Sequence, residues 1–85
     1  MSAQQLTVML LGGGRRVSVA EQLRASGERI GYKVKIVSYE LTDRVPITIV
    51  GKVVTGLPWH DPEVVADIVR VARENDVNIL LPLVD

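Results

Sequence analysis

Three consecutive glycines, Gly12, Gly13 and Gly14, are followed at once by Arg15 and Arg16, with Ser18 two residues further on. A glycine turn that feeds a helix leaves backbone N–H groups unpaired beside the positive end of the helix dipole. Guanidinium groups next to those N–H groups form a site for an anion, phosphate or carboxylate. Ser18, in the first helical turn, adds a hydroxyl donor. The same residues also admit a plainer reading, in which the glycines serve a tight turn and close packing and the arginines are solvated surface charges.

Other chemistry is sparse. A dinucleotide fingerprint needs G-x-G-x-x-G, and Val17 stands where the third glycine belongs, although an acid, Glu40, does follow 26 residues after Gly14. Cysteine is absent and His60 is the single histidine, so disulfides, thiol nucleophiles, thiolate metal sites and multi-histidine metal sites are excluded. His60 and Trp59 lie in the loop GLPWHDP, the first read as exposed and the second as covering an edge of the core. Glu40 reads most simply as a polar residue of a loop.

The elements that must position the glycine turn are legible from periodicity. Leu6–Leu11 is an apolar run closed by glycines, as expected of a strand buried on both faces of a parallel sheet. A helix is predicted from about Arg16 to Ile30, with Val19, Ala20, Leu23, Gly27 and Ile30 on one stripe and Gly31 ending it. Gly27 costs about 1 kcal/mol of helix propensity, which close approach to a sheet would offset.

Lys33–Tyr39 is a second strand, and its lysines suggest a place nearer the sheet edge than the first. Ile47–Val50 reads as a strand or a helical turn, and Lys52–Thr55 as a short strand. Asp61-Pro62 is a strong helix start, opening a helix whose apolar arc holds Val64, Val65, Ile68, Val69, Val71 and Ala72. Asn78–Val84 is a last strand, apolar on both faces. Strands alternating with helices imply an α/β domain: a Rossmann-like half of a doubly wound parallel sheet, four strands in the order 3-2-1-4 with two main helices. The two most apolar strands, first and fourth, are then expected as central neighbours. Their carboxyl ends form the switch point where such sheets bind ligands, which brings Gly12–Arg16 to face Asp85.

At 85 residues the chain is a single domain, 1–85, burying roughly 60–65% of its unfolded surface. Ten basic and ten acidic side chains give zero net charge, which disfavours nucleic-acid and anionic-membrane binders. The balance hides a division, +4 over residues 1–35 and −4 over residues 36–85. No stretch approaches the roughly 20 apolar residues of a membrane span, and no signal peptide is evident, so a cytoplasmic location is expected.

The stretches VMLLGGGRRVSVAEQLR (Val8–Arg24), VVTGLP after the Pro46 spacer, and DPEVVADIVRVARENDVNILLPLVD (Asp61–Asp85) together resemble one family. It is the N-terminal, pre-ATP-grasp domain of ATP-grasp ligases, in the branch related to the carbamoyl-phosphate synthase large subunit. In that group a strand enters a small-residue turn with Gly-Arg-Arg and a Val-Ser-rich helix, and an Asp-Pro helix later leads to an apolar strand. Family members often have Ser-Ala where this chain has Gly12-Gly13, a change that should preserve the turn.

The resemblance implies an ATP-dependent carboxylate–amine ligase in complete form, using ATP and magnesium. The nucleotide machinery belongs to later subdomains absent from these 85 residues, so this chain alone is expected to be inactive and to bind neither. Its contribution would be one wall of a cleft for a small carboxylate, through Gly13, Gly14, Arg15, Arg16 and Ser18 with Asp85 nearby. Its implied partner is the catalytic ATP-grasp domain, in the same chain or another. A stand-alone nucleotide- or dinucleotide-binding module and a non-catalytic association domain, such as a homodimer, are the alternatives.

Overall fold

The computed structural model describes residues 4–12, 15–49 and 51–83, with Ile49 described by its backbone alone. In chain order it comprises β1 (Gln4–Leu11), α1 (Val17–Arg29), β2 (Tyr32–Glu40), a 3-10 turn (Pro46–Ile49), β3 (Lys52–Thr55), α2 (Val64–Glu74) and β4 (Ile79–Pro82). The four strands form one parallel sheet in the order β3-β2-β1-β4. The architecture is the α/β arrangement expected from the alternation of strands and helices.

Alternation along the strands divides the core between two faces. Val8, Leu10, Val34 and Ile36 point to one face, where Ala20 of α1 and Ile47 of the 3-10 turn cover them. Met9, Val37 and Tyr39 point to the other, beneath Val64 and Val71 of α2. The stretch left open between strand and helical turn is thus the turn, and it buries Ile47 completely. Gly27 is buried where α1 crosses β2, and a Cβ placed there would stand 2.3 Å from Val34 Cγ2. The glycine is what lets the helix lie this close to the sheet. Gly31 ends α1 with a φ of +88°.

Helix α2 begins three residues after Asp61, so its N-cap is Glu63 rather than the expected Asp61, and Pro62 lies before the helix. Asp61 still accepts two N–H groups at the approach to the helix. Its Oδ1 accepts the Glu63 N–H at 2.8 Å and its carbonyl accepts the Val64 N–H at 3.0 Å. Pro62 and Glu63 form the turn between Asp61 and the helix.

Two placements differ from expectation. β2 lies inside the sheet, flanked by β1 and β3, while β4 neighbours β1 as expected but forms an outer edge rather than a central strand. Lys33 and Lys35 are tolerated inside because α2 covers the carboxyl-terminal half of β2, and both lysines are exposed on the other half. The apolar character of β4 is only partly used: Ile79 and Leu80 are each 46% exposed. The same open side leaves Val65 and Val69 of α2 exposed, so the apolar arc of that helix is buried along only part of its width. Ile30 falls just beyond the last turn of α1 and is exposed as well.

Candidate functional site

Strand β1 delivers its last residues between the carboxyl ends of β2 and β4. The Gly12 N–H donates to the Tyr39 carbonyl oxygen at 3.2 Å on one side, and the Leu83 N–H donates to the Leu11 carbonyl oxygen at 2.9 Å on the other. Gly12 has a φ of +81°, a left-handed conformation that glycine adopts without steric cost. The chain turns there, out of the sheet and toward α1.

Arg15 and Arg16 follow, and both are exposed at the start of α1. Arg16 occupies the N-cap position, and no side chain caps the helix. Its carbonyl oxygen accepts the N–H groups of Val19 at 3.1 Å and Ala20 at 3.3 Å. The first turn itself contains no acidic residue to offset the positive end of the helix dipole. Ser18 is exposed in that turn. The structure therefore brings Arg15, Arg16 and Ser18 together at the helix start, above the switch between β1 and β4. Gly13, Gly14 and Asp85 lie outside the described residues.

Glu40, read from sequence as a polar loop residue, ends β2 instead. The fully buried Ser38 donates its hydroxyl hydrogen to Glu40 Oε2 at 2.6 Å, which fixes the carboxylate on the α1 side of the sheet. Because Gly12 bonds to the neighbouring Tyr39, this carboxylate lies one strand away from the glycine turn. The sequence signal for it was the acid at the end of the second strand.

A second polar group, not anticipated from sequence, closes the other face. The Tyr39 hydroxyl donates to Asp67 Oδ2 and accepts the Leu57 N–H at 2.8 Å. Arg70 holds the other oxygen of Asp67 at 2.7 Å and reaches Glu74 at 3.0 Å. Trp59 lies against Tyr39, with ring centroids 5.8 Å apart and planes inclined at 31°. Burial, reinforced by the Asp67 hydrogen bond, raises the Tyr39 pKa above its usual value. The Tyr39 hydrogen bond and then the Arg70 guanidinium lower that of Asp67. Every member has a partner, and the group ties α2 and the loop after β3 to the end of β2.

The described residues contain no group of three His, Cys, Asp or Glu side chains that could hold a metal ion. Among them, no helix is long and apolar enough to cross a membrane. Comparison with family models, with curated proteins and with solved structures found no match to the chain.

Proposed function

We propose that this chain is the substrate-side N-terminal domain of an ATP-dependent carboxylate–amine ligase of the ATP-grasp type. The observation that carries the reading is the uncapped start of α1, bearing Arg15, Arg16 and Ser18, at the carboxyl end of β1 in a 3-2-1-4 sheet. In open parallel sheets this is the ligand position, and its chemistry selects an anion. The order of the Gly-Arg-Arg turn, the Asp-Pro helix and the final apolar strand supplies the ATP-grasp assignment. In this reading the domain positions a small carboxylate, while ATP-grasp subdomains supply the nucleotide site and the chemistry. The open edge of β4, with Ile79 and Leu80 half-exposed, is where such subdomains or a second copy would find apolar surface.

The test is kinetic. In an enzyme carrying this domain together with ATP-grasp subdomains, Arg15→Ala and Arg16→Ala raise the KM for the carboxylate about tenfold each with smaller effects on kcat, as expected for lost ground-state binding. Unchanged kinetics in both variants would overturn the assignment.

The Ser38–Glu40 hydrogen bond favours a second reading, a nucleotide-binding module in which Glu40 accepts the ribose hydroxyls. Titration with NAD, followed by amide NMR, separates the two. Saturable shifts at Gly12, Arg15, Arg16 and Glu40 at micromolar ligand support the module, and silence removes it.

A further inference from the structure

At the opposite end of the sheet, β2 runs past its neighbour. Among the described residues β3 pairs with residues 37–40 alone, and no described strand flanks residues 32–36 on that side. An open cavity of about 300 Å³ occupies the step, lined by Arg24 of α1, Lys33 and Lys35 of β2, Lys52 of β3, and Gln5 and Gly51 among others. Among the described residues no carboxylate lines it and no ion pair engages Arg24, Lys33 or Lys35. Lys52 is oriented by donating to Asn75 Oδ1, a neutral acceptor, at 2.8 Å.

The backbone adds a donor. The Gly56 N–H bonds to the Glu40 carbonyl oxygen, and a Cβ on Gly51 would stand 2.9 Å from the Ile36 carbonyl oxygen, so the even-numbered residues of β2 turn their peptide groups toward the β3 side. By the same alternation Val34, below the start of β3, turns its N–H toward the cavity. Lysines on a bare strand edge are a common guard against edge-to-edge pairing. That role accounts for Lys33 and Lys35 but not for Arg24 and Lys52, which arrive from two other elements.

We infer that this step is a binding site for a compact multivalent phosphate anion of the pyrophosphate class, separate from the Gly12–Arg16 turn. Cations on both sides of one strand edge match an anion that carries charge at two linked centres. Lysine and arginine are the side chains that hold phosphoryl oxygens, and the Val34 N–H supplies a directional contact. The site does not depend on the ligase reading.

The experiment is a titration of the ¹⁵N-labelled chain with sodium pyrophosphate at constant ionic strength, with sodium sulfate as the matched control. Saturable shifts are expected at the amides of Val34, Ile36 and Lys52 with pyrophosphate, and not at Arg15 or Arg16. The Lys33→Glu/Lys35→Glu variant should weaken binding by about tenfold or more, each factor of ten corresponding to about 1.4 kcal/mol. Arg15→Ala/Arg16→Ala should leave it unchanged. If the charge-reversed variant melts early, Arg24→Gln/Lys52→Gln makes the same test with less perturbation. Equal shifts with sulfate, or shifts that never saturate, mean an adventitious ion only and overturn the proposal. Unchanged affinity in folded Lys33→Glu/Lys35→Glu overturns it as well.

Discussion

Tyr39 at the end of β2 donates its hydroxyl hydrogen to Asp67 in the first turn of α2, across 28 residues of sequence. The same hydroxyl accepts the Leu57 N–H, so one buried oxygen joins a strand, a loop and a helix. Tyr39→Phe deletes both bonds and leaves the Leu57 N–H unpaired. A loss of about 1–3 kcal/mol is expected, read from urea or thermal unfolding. A variant as stable as the parent would show that the group contributes nothing net.

The pH dependence of stability follows from the same pair. Asp67 has a lowered pKa in the folded chain, so its contribution is present above the unfolded value of 3.8 and is lost as pH falls through the folded value. Tyr39 has a raised pKa, so its contribution is present below 10.0 and is lost as pH rises through the folded value. The urea midpoint should therefore decline on the acid side below about pH 4 and on the alkaline side above about pH 10. Tyr39→Phe should flatten both limbs, because it removes the alkaline titration and the main cause of the Asp67 shift. Identical pH profiles in parent and variant would refute the linkage.

Gly27 tests the close crossing of α1 over β2. Alanine would improve helix propensity by about 1 kcal/mol. Its Cβ would also collide with Val34 Cγ2, and overpacking costs about 1–3 kcal/mol. Since Val34 is buried and β-branched, it has little room to yield, and Gly27→Ala should be destabilising overall. In a Val34→Ala background the collision is gone, and the same change should become neutral or stabilising. A double-mutant cycle in urea measures the coupling, and additive effects would show that the two residues do not meet.

These relationships differ in how far they could be read from sequence. The crossing at Gly27 was legible because a glycine on the apolar stripe of a helix has few other uses. So was the turn after β1, since an apolar run cut off by glycines marks where a parallel strand must leave the sheet. The Tyr39–Asp67 bond was not legible, because Asp67 reads as an ordinary residue on the polar face of an amphipathic helix. Only the packing of α2 on the sheet brings it over the end of β2. The order placed β4 beside β1 correctly, but its exposure was not legible, for a related reason. Apolar residues on both faces require cover but do not say what provides it, and the described chain covers β4 only from β1 and the inner parts of the helices. Of the candidate site, Arg15, Arg16 and Ser18 followed from local pattern, whereas the fixing of Glu40 by Ser38 depends on both residues pointing to one side of β2.

The exposed edge makes a further prediction. Ile79 and Leu80 lie on opposite faces of β4, and Leu80 borders an open cavity of about 490 Å³ with Val69 and Val77. Half-exposed apolar side chains on a free strand edge favour association with another chain. The 85-residue chain should show concentration-dependent self-association by sedimentation velocity. Leu80→Lys should suppress it while changing unfolding stability by only about 1 kcal/mol, because the side chain is already half in water. A single monomeric species at all concentrations would remove the homodimer as an expectation.

Asp61 provides the most local test. Its carboxylate accepts the Glu63 N–H at 2.8 Å, just before the regular turns of α2. Asp61→Ala removes that acceptor and the negative charge near the helix start, and should cost about 1 kcal/mol. Asp61→Asn keeps an oxygen at the same reach and should recover most of the loss, since asparagine caps about as well as aspartate. Because α2 carries Asp67 to Tyr39, fraying at its start should also be felt there. The Tyr39 ring signals in NMR should broaden or shift in Asp61→Ala and not in Asp61→Asn. Equal stability in all three proteins would mean that packing of Val64 and Val71 alone holds the start of α2 in place.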